Sequence, residues 1–132
     1  MASDLPHMQA AVTALHNAGI RVSLFIDPDS REINASKAVG ADMIELHTGE
    51  YCSKSGDEQD MEFARLKEAA TCAASLGLRV AAGHGLHYHN VQRICEIPEI
   101  EELNIGHAII ARAVFAGLDG AVRQMISAMR KP

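Results

Sequence analysis

Two histidines flanked by glycine lie just beyond two short apolar runs. Gly83-His84-Gly85 follows Leu78-Arg79-Val80-Ala81-Ala82, and Gly106-His107 follows Leu103-Asn104-Ile105. An imidazole, with an ordinary pKa of about 6.5, exchanges protons near neutral pH. Glycines beside it leave backbone N–H groups open to an anion. These residue types at this spacing point to proton transfer next to a bound anion. For Gly106-His107-Ala108-Ile109-Ile110-Ala111 two readings stand side by side: a phosphate held by helix N-terminal N–H groups, or an ordinary tight turn between strand and helix.

The run Gly83-His84-Gly85-Leu86-His87-Tyr88-His89-Asn90 places His84, His87 and His89 close together. One reading makes His84 a general acid or base. A second makes the three histidines a metal cluster, but no Cys is close and the nearest carboxylate in sequence is Glu96, so distant ligands would be needed. A third has His87 and His89 capping the next helix or lying in solvent. The residue types favour His84 as acid or base, with His87 and His89 capping the helix or in solvent and no metal bound.

Ile44-Glu45-Leu46-His47-Thr48-Gly49 sets a carboxylate inside an apolar run. Burial of an unpaired carboxylate is costly, so Glu45 needs a partner or a role. Alternation along a strand puts Glu45 and His47 on one face. A buried ion pair between Glu45 and an Arg or Lys is the structural alternative. Asp27-Pro28-Asp29-Ser30 reads as turn and helix-cap chemistry. Ser53-Lys54-Ser55-Gly56-Asp57-Glu58 reads as a solvent-exposed loop rather than a mobile lid.

The elements that position these residues follow a repeated pattern. A helix-like segment ends in glycine, one apolar residue follows, and a strand begins: Ala18-Gly19-Ile20-Arg21-Val22, Val39-Gly40-Ala41-Asp42-Met43 and Leu76-Gly77-Leu78-Arg79-Val80. Glycine takes the left-handed conformation that ends a helix. Strands are expected at Arg21–Ile26, Asp42–His47, Arg79–Gly83 and Glu102–Ile105, mostly apolar on both faces as in a covered parallel sheet. Helices are expected at Met8–Ala18, Ser30–Val39, Asp57–Leu76, Asn90–Glu96 and Ala108–Met129, the last broken near Gly117-Leu118-Asp119-Gly120. Four β/α units fit either a small flavodoxin-like open sheet or half of an eight-unit barrel. Both histidine turns then fall at carboxyl ends of strands, where catalytic groups collect in such folds.

With 132 residues, 48% of them hydrophobic, the chain can build one domain with a core rather than remain disordered. A formal net charge of −5 with scattered basic residues argues against a nucleic-acid partner. No apolar run approaches the roughly 20 residues needed to span a membrane. The first eight residues lack the pattern of a secretory signal. Cys52, Cys72 and Cys95 are widely spaced and form no CxxC pair, as expected for free thiols in a reducing cytoplasm.

Taken together, the quoted runs, with Leu24-Phe25-Ile26-Asp27, Tyr88-His89-Asn90-Val91 and Glu102-Leu103-Asn104-Ile105-Gly106-His107-Ala108-Ile109-Ile110-Ala111-Arg112-Ala113, resemble the C-terminal half of the pyridoxine 5′-phosphate synthase family of vitamin B6 biosynthesis. The resemblance covers almost everything after about residue 8, and residues 1–8 read as a leader outside the family pattern. It implies an α/β TIM (β/α)8 barrel in which 1–132 forms a single segment, strands 5–8. It implies condensation of 3-amino-2-oxopropyl phosphate with 1-deoxy-D-xylulose 5-phosphate, releasing phosphate and water. By resemblance His84 is the proton donor and Glu45 stabilises the transition state. Gly85, Gly106 and His107 bind the amino-ketone phosphate. No cofactor is expected, and the family's octamers imply a homo-oligomer. The family's other proton acceptors, a His and a Glu, belong to the other half, so the 132-residue chain alone is expected to be inactive. A non-catalytic phosphate-binding half-barrel that self-associates, and a histidine-dependent metal protein, are the rivals.

Overall fold

The glycine pattern becomes chain geometry at three places. Gly19, Gly40 and Gly77 sit at φ of 75°, 86° and 75°, just after α1 (Leu5–Asn17), α2 (Ser30–Ala38) and the long helix Gly56–Ser75. Each turns the chain into a strand. The structure is a computed structural model and describes residues 4–130. After α1, β1 (Ser23–Ile26), α2 and β2 (Met43–His47) come α3 (Gly49–Ser53), α4 (Gly56–Ser75) and β3 (Arg79–Gly83), then α5 (Val91–Ile94), β4 (Ile100–Asn104) and α6 (His107–Met129).

The four strands pair in parallel in the order β1-β2-β3-β4. A flavodoxin-like sheet reverses direction to give the order 2-1-3. No such reversal occurs here; the strands progress in sequence, as they do along the wall of a barrel. Register sets Glu45 beside Phe25 and Ala81, and Gly83 beside His47 and Asn104. A bulge between β3 and β4 skips Glu101, since Val80 pairs with Ile100 and Ala81 with Glu102.

One face of the sheet meets the helices. Ile26, Ile44, Leu46, Val80 and Ala82 pack there against Ile33 of α2, Leu66, Ala69, Ala70 and Ala73 of α4, and Ile94 and Ile97. Ile44, Leu46, Leu66 and Ile94 are completely or almost completely buried. Each such side chain contributes about 1.5–3 kcal/mol relative to exposure. A second cluster seats α1 through Val12 against Val22 and Val39.

The opposite face departs from the expected apolar pattern. Alternation presents Phe25, Glu45, His47, Glu102 and Asn104 there, and Phe25 is 55% exposed. The strands are therefore apolar toward the helices and largely polar on the other side.

Element ends differ by a few residues from the sequence expectation. β1 begins at Ser23 and β4 runs Ile100–Asn104. The segment Ser53–Glu58, read as a loop, is mostly helix: Ser53 closes α3 and Gly56 opens α4. At five residues, α3 is too short for apolar periodicity to show. The expected break in the last helix is present, at Gly117, whose φ of 74° is non-helical. Of the leader expected over residues 1–8, residues 1–3 lie outside the described region, and Leu5–Met8 form the first turn of α1. Among the described residues no helix is long and apolar enough to cross a membrane.

Candidate active site

β2 carries Glu45 into the sheet's polar face. Asn104 Nδ2, from β4, donates to Glu45 Oε2 at 2.8 Å. The partner is thus an amide, not the Arg or Lys of the ion-pair alternative. The carboxylate needs space above β3, and Gly83 provides it. A Cβ at Gly83 would collide with Glu45 Oε1 and lie 2.9 Å from the Asn104 carbonyl oxygen.

The β3 strand ends in a tight turn. His84 takes a φ of 81° and Gly85 one of 79°. For a residue with a Cβ the left-handed region costs about 1–2 kcal/mol. Thr48, fully buried at the end of β2, holds the turn in place. Its Oγ1 lies 2.7 Å from the Gly83 carbonyl oxygen and 2.6 Å from that of His84, and its N–H donates to the Gly83 carbonyl at 2.9 Å. Cys52 packs beneath Gly85, where a Cβ would come 2.9 Å from Cys52 Cβ. Burial pushes the Cys52 thiol above its ordinary pKa, which disfavours the thiolate.

The turn continues through His87 and His89, both exposed. Asn90 Oδ1 accepts from the His87 N–H at 2.7 Å, and Asn90 Nδ2 donates to the Gly85 carbonyl at 3.3 Å. These contacts close the turn without using either imidazole as a helix cap; the His89 N–H instead donates to His87 Nδ1 at 3.2 Å. Among the described residues no group of three or more His, Cys, Asp or Glu is arranged to hold a metal ion.

Beyond β4, Gly106 is the N-cap of α6 and makes no side-chain cap bond. The Ile110 N–H donates to the Gly106 carbonyl, so the N–H groups ahead of it, from His107 to Ile109, are those a helix leaves without an internal acceptor. They carry the partial positive charge of the helix start.

These parts open onto one cleft of about 560 Å³, lined by Glu45, His84, Gly85, Gly106 and His107, with Phe25, Leu86, His87, Asn104, Ile105 and Ala108. The five residues singled out from the sequence, one within β2 and the others just beyond β3 and β4, share this cleft. A titratable imidazole, a carboxylate and a helix start facing one space suit a small anionic substrate that exchanges protons. Asp29 has the expected capping role at α2, accepting from the Arg31 N–H at 2.8 Å.

Sequence reasoning gave no role to Asn104, Thr48 or His47. Alternation on β4 could have placed Asn104 on the Glu45 face. Nothing local marks Thr48, because its partners lie 35 and 36 residues away.

The family model described as pyridoxal phosphate biosynthesis protein PdxJ matches residues 1–131. The chain is 55% identical over 115 residues to a pyridoxine 5′-phosphate synthase of Chlorobium luteolum, covering 87% of this chain and 49% of that protein. It is 52% identical over 132 residues to one from Idiomarina loihiensis, covering 99% of this chain and 54% of the relative. It is 57% identical over 125 residues to one from Legionella pneumophila, covering 94% and 50%. The chain spans about half the length of the curated relatives it matches.

Proposed function

Because the chain belongs to the family of pyridoxal phosphate biosynthesis protein PdxJ, we propose that it supplies the amino-ketone phosphate side of a pyridoxine 5′-phosphate synthase active site. Its β1–β4 correspond to strands 5–8 of a (β/α)8 barrel. The substrates are 3-amino-2-oxopropyl phosphate and 1-deoxy-D-xylulose 5-phosphate. The single observation that carries this reading is the convergence of Glu45, His84, Gly85, Gly106 and His107 on one cleft.

The phosphate of the amino-ketone rests against the Gly85 turn and the start of α6, held by backbone N–H groups and His107. That leaves the amino-ketone carbons between His84 and Glu45. Condensation of an amine with a carbonyl builds positive charge at nitrogen and expels oxygen. Glu45 stabilises the first through its fixed negative charge, and His84 gives a proton to the second. The resemblance assigns the proton acceptors and most deoxyxylulose phosphate contacts to the other half of the barrel. The 132-residue chain therefore turns over only when that half is supplied. The assembly is a homo-oligomer, an octamer by resemblance, in the cytoplasm, with no nucleic-acid or membrane partner and no cofactor.

The test supplies the N-terminal half of the Idiomarina loihiensis relative and measures pyridoxine 5′-phosphate formation. His84→Asn should lower turnover by about 10²–10⁴-fold with little change in substrate affinity. His107→Asn should chiefly weaken the amino-ketone phosphate. Turnover near wild type in His84→Asn, or amide shifts on phosphate titration confined to segments away from Gly85 and Gly106, would overturn the assignment.

A further inference from the structure

The backbone of His84 is held by Thr48, but among the described residues its exposed imidazole has no hydrogen-bond partner, and the ring must still be aimed. His47 lies against it. The two ring centroids are 4.8 Å apart with an interplanar angle of 34°. On the far side of His47, Phe25 meets it edge-on at 5.1 Å. His47 Nδ1 is 3.7 Å from Asp27 Oδ1, beyond hydrogen-bond length but close enough for electrostatic orientation.

Gly49 gives an independent sign that this stack has a reserved place. A Cβ there would come 2.6 Å from His47 Cε1, 3.0 Å from His47 Nε2 and 3.3 Å from His84 Cδ2. The absent side chain is thus the space that both rings share. Alternation adds that His47 occupies the polar face with Glu45, two positions away on β2. His47 packs against two side chains that line the cleft, Phe25 and His84.

We propose that His47 is a positioning residue: clamped between Phe25 and His84, it fixes the rotamer of the His84 imidazole so that its proton faces the cleft. This rests on the reading of His84 as proton donor. His47 itself touches neither the phosphate nor the reacting atoms. Its contribution is to limit the orientations an otherwise exposed ring can adopt, which matters because proton transfer depends on alignment to within fractions of an ångström.

Three variants test this: His47→Ala removes the platform, His47→Phe keeps a ring without nitrogen, and His84→Asn is the reference. With the complementing N-terminal half present, His47→Ala should lower kcat by about 10-fold while KM stays within about two-fold, the pattern of lost alignment rather than lost binding. His47→Phe should recover most of that loss. On the 132-residue chain alone, ¹H–¹³C spectra should show a cross-relaxation contact between the two rings and a ring-current displacement at His84 Cδ2–H. Both should vanish in His47→Ala, and the displacement should persist in His47→Phe. Wild-type kcat in His47→Ala, a His47→Phe variant as slow as His47→Ala, or unchanged His84 ring signals would each overturn the inference. If His84→Asn keeps full turnover, the proton-donor reading fails. If His84→Asn loses turnover while His47→Ala keeps wild-type kcat, only the positioning role falls.

Discussion

Thr48→Val replaces one hydroxyl by a methyl group and should loosen the His84 turn before it unfolds the domain. The hydroxyl hydrogen serves the Gly83 and His84 carbonyls, at 2.7 and 2.6 Å, one at a time. After substitution the Gly83 carbonyl keeps the Thr48 backbone N–H at 2.9 Å. The His84 carbonyl keeps only the weak Cys52 Sγ contact at 3.6 Å. One partly buried acceptor thus loses its strong donor, a cost of about 1–3 kcal/mol. The added methyl returns at most about 0.8 kcal/mol of burial. The net loss is about 0.2–3 kcal/mol, a range that includes the roughly 1–2 kcal/mol cost of holding His84 in the left-handed region. The turn is therefore the element that relaxes. Thr48→Ser keeps the hydroxyl and loses one methyl, about 0.8 kcal/mol, so it should preserve the turn. Urea unfolding at several protein concentrations measures the stability, and the His84 ring resonances report the turn. Thr48→Val as stable as wild type with His84 ring resonances unmoved, or those resonances displaced further in Thr48→Ser than in Thr48→Val, would refute this account.

Gly83→Ala should cost about 1–3 kcal/mol through overpacking, because its Cβ meets both the Glu45 carboxylate and the Asn104 backbone carbonyl; loss of the Glu45–Asn104 contact in spectra of the Asn104 side-chain amide should accompany a lowered thermal midpoint. Acid sensitivity should include Asp29, whose carboxyl is pulled from 3.8 to about 2 by hydrogen bonds from the Arg31 side chain and backbone. A depressed folded-state pKa stabilises the fold above pH 3.8 and is lost as pH falls toward about 2. Asp29→Asn, which still caps α2, should therefore show a flatter decline of urea midpoint across that window than wild type. Ile110, Val114, Phe115 and Leu118 of α6 are 60%, 76%, 92% and 59% exposed, and β1 and β4 are the sheet's edges. Light scattering should show concentration-dependent association of the 132-residue chain, reduced in Phe115→Glu; a monomer at every concentration would count against it.

Much of this protein was legible locally. Gly19, Gly40 and Gly77 ended helices because glycine alone enters the left-handed region without penalty. Asp29 capped α2, and Gly117 broke the last helix. The glycine-flanked histidines and the carboxylate inside an apolar run identified the residues that line the cleft; their chemical roles rest on resemblance and on proposal. What local sequence could not decide is register and facing. A strand of alternating residues does not say which neighbour it pairs with, so the sequence left open a flavodoxin-like order and strands apolar on both faces. Only the assembled sheet brought Asn104 to Glu45 across 59 residues, laid His47 against His84, and buried the Thr48 hydroxyl under a turn 36 residues away. Periodicity along one segment specifies a face. The energy of packing and pairing between distant segments specifies what that face meets.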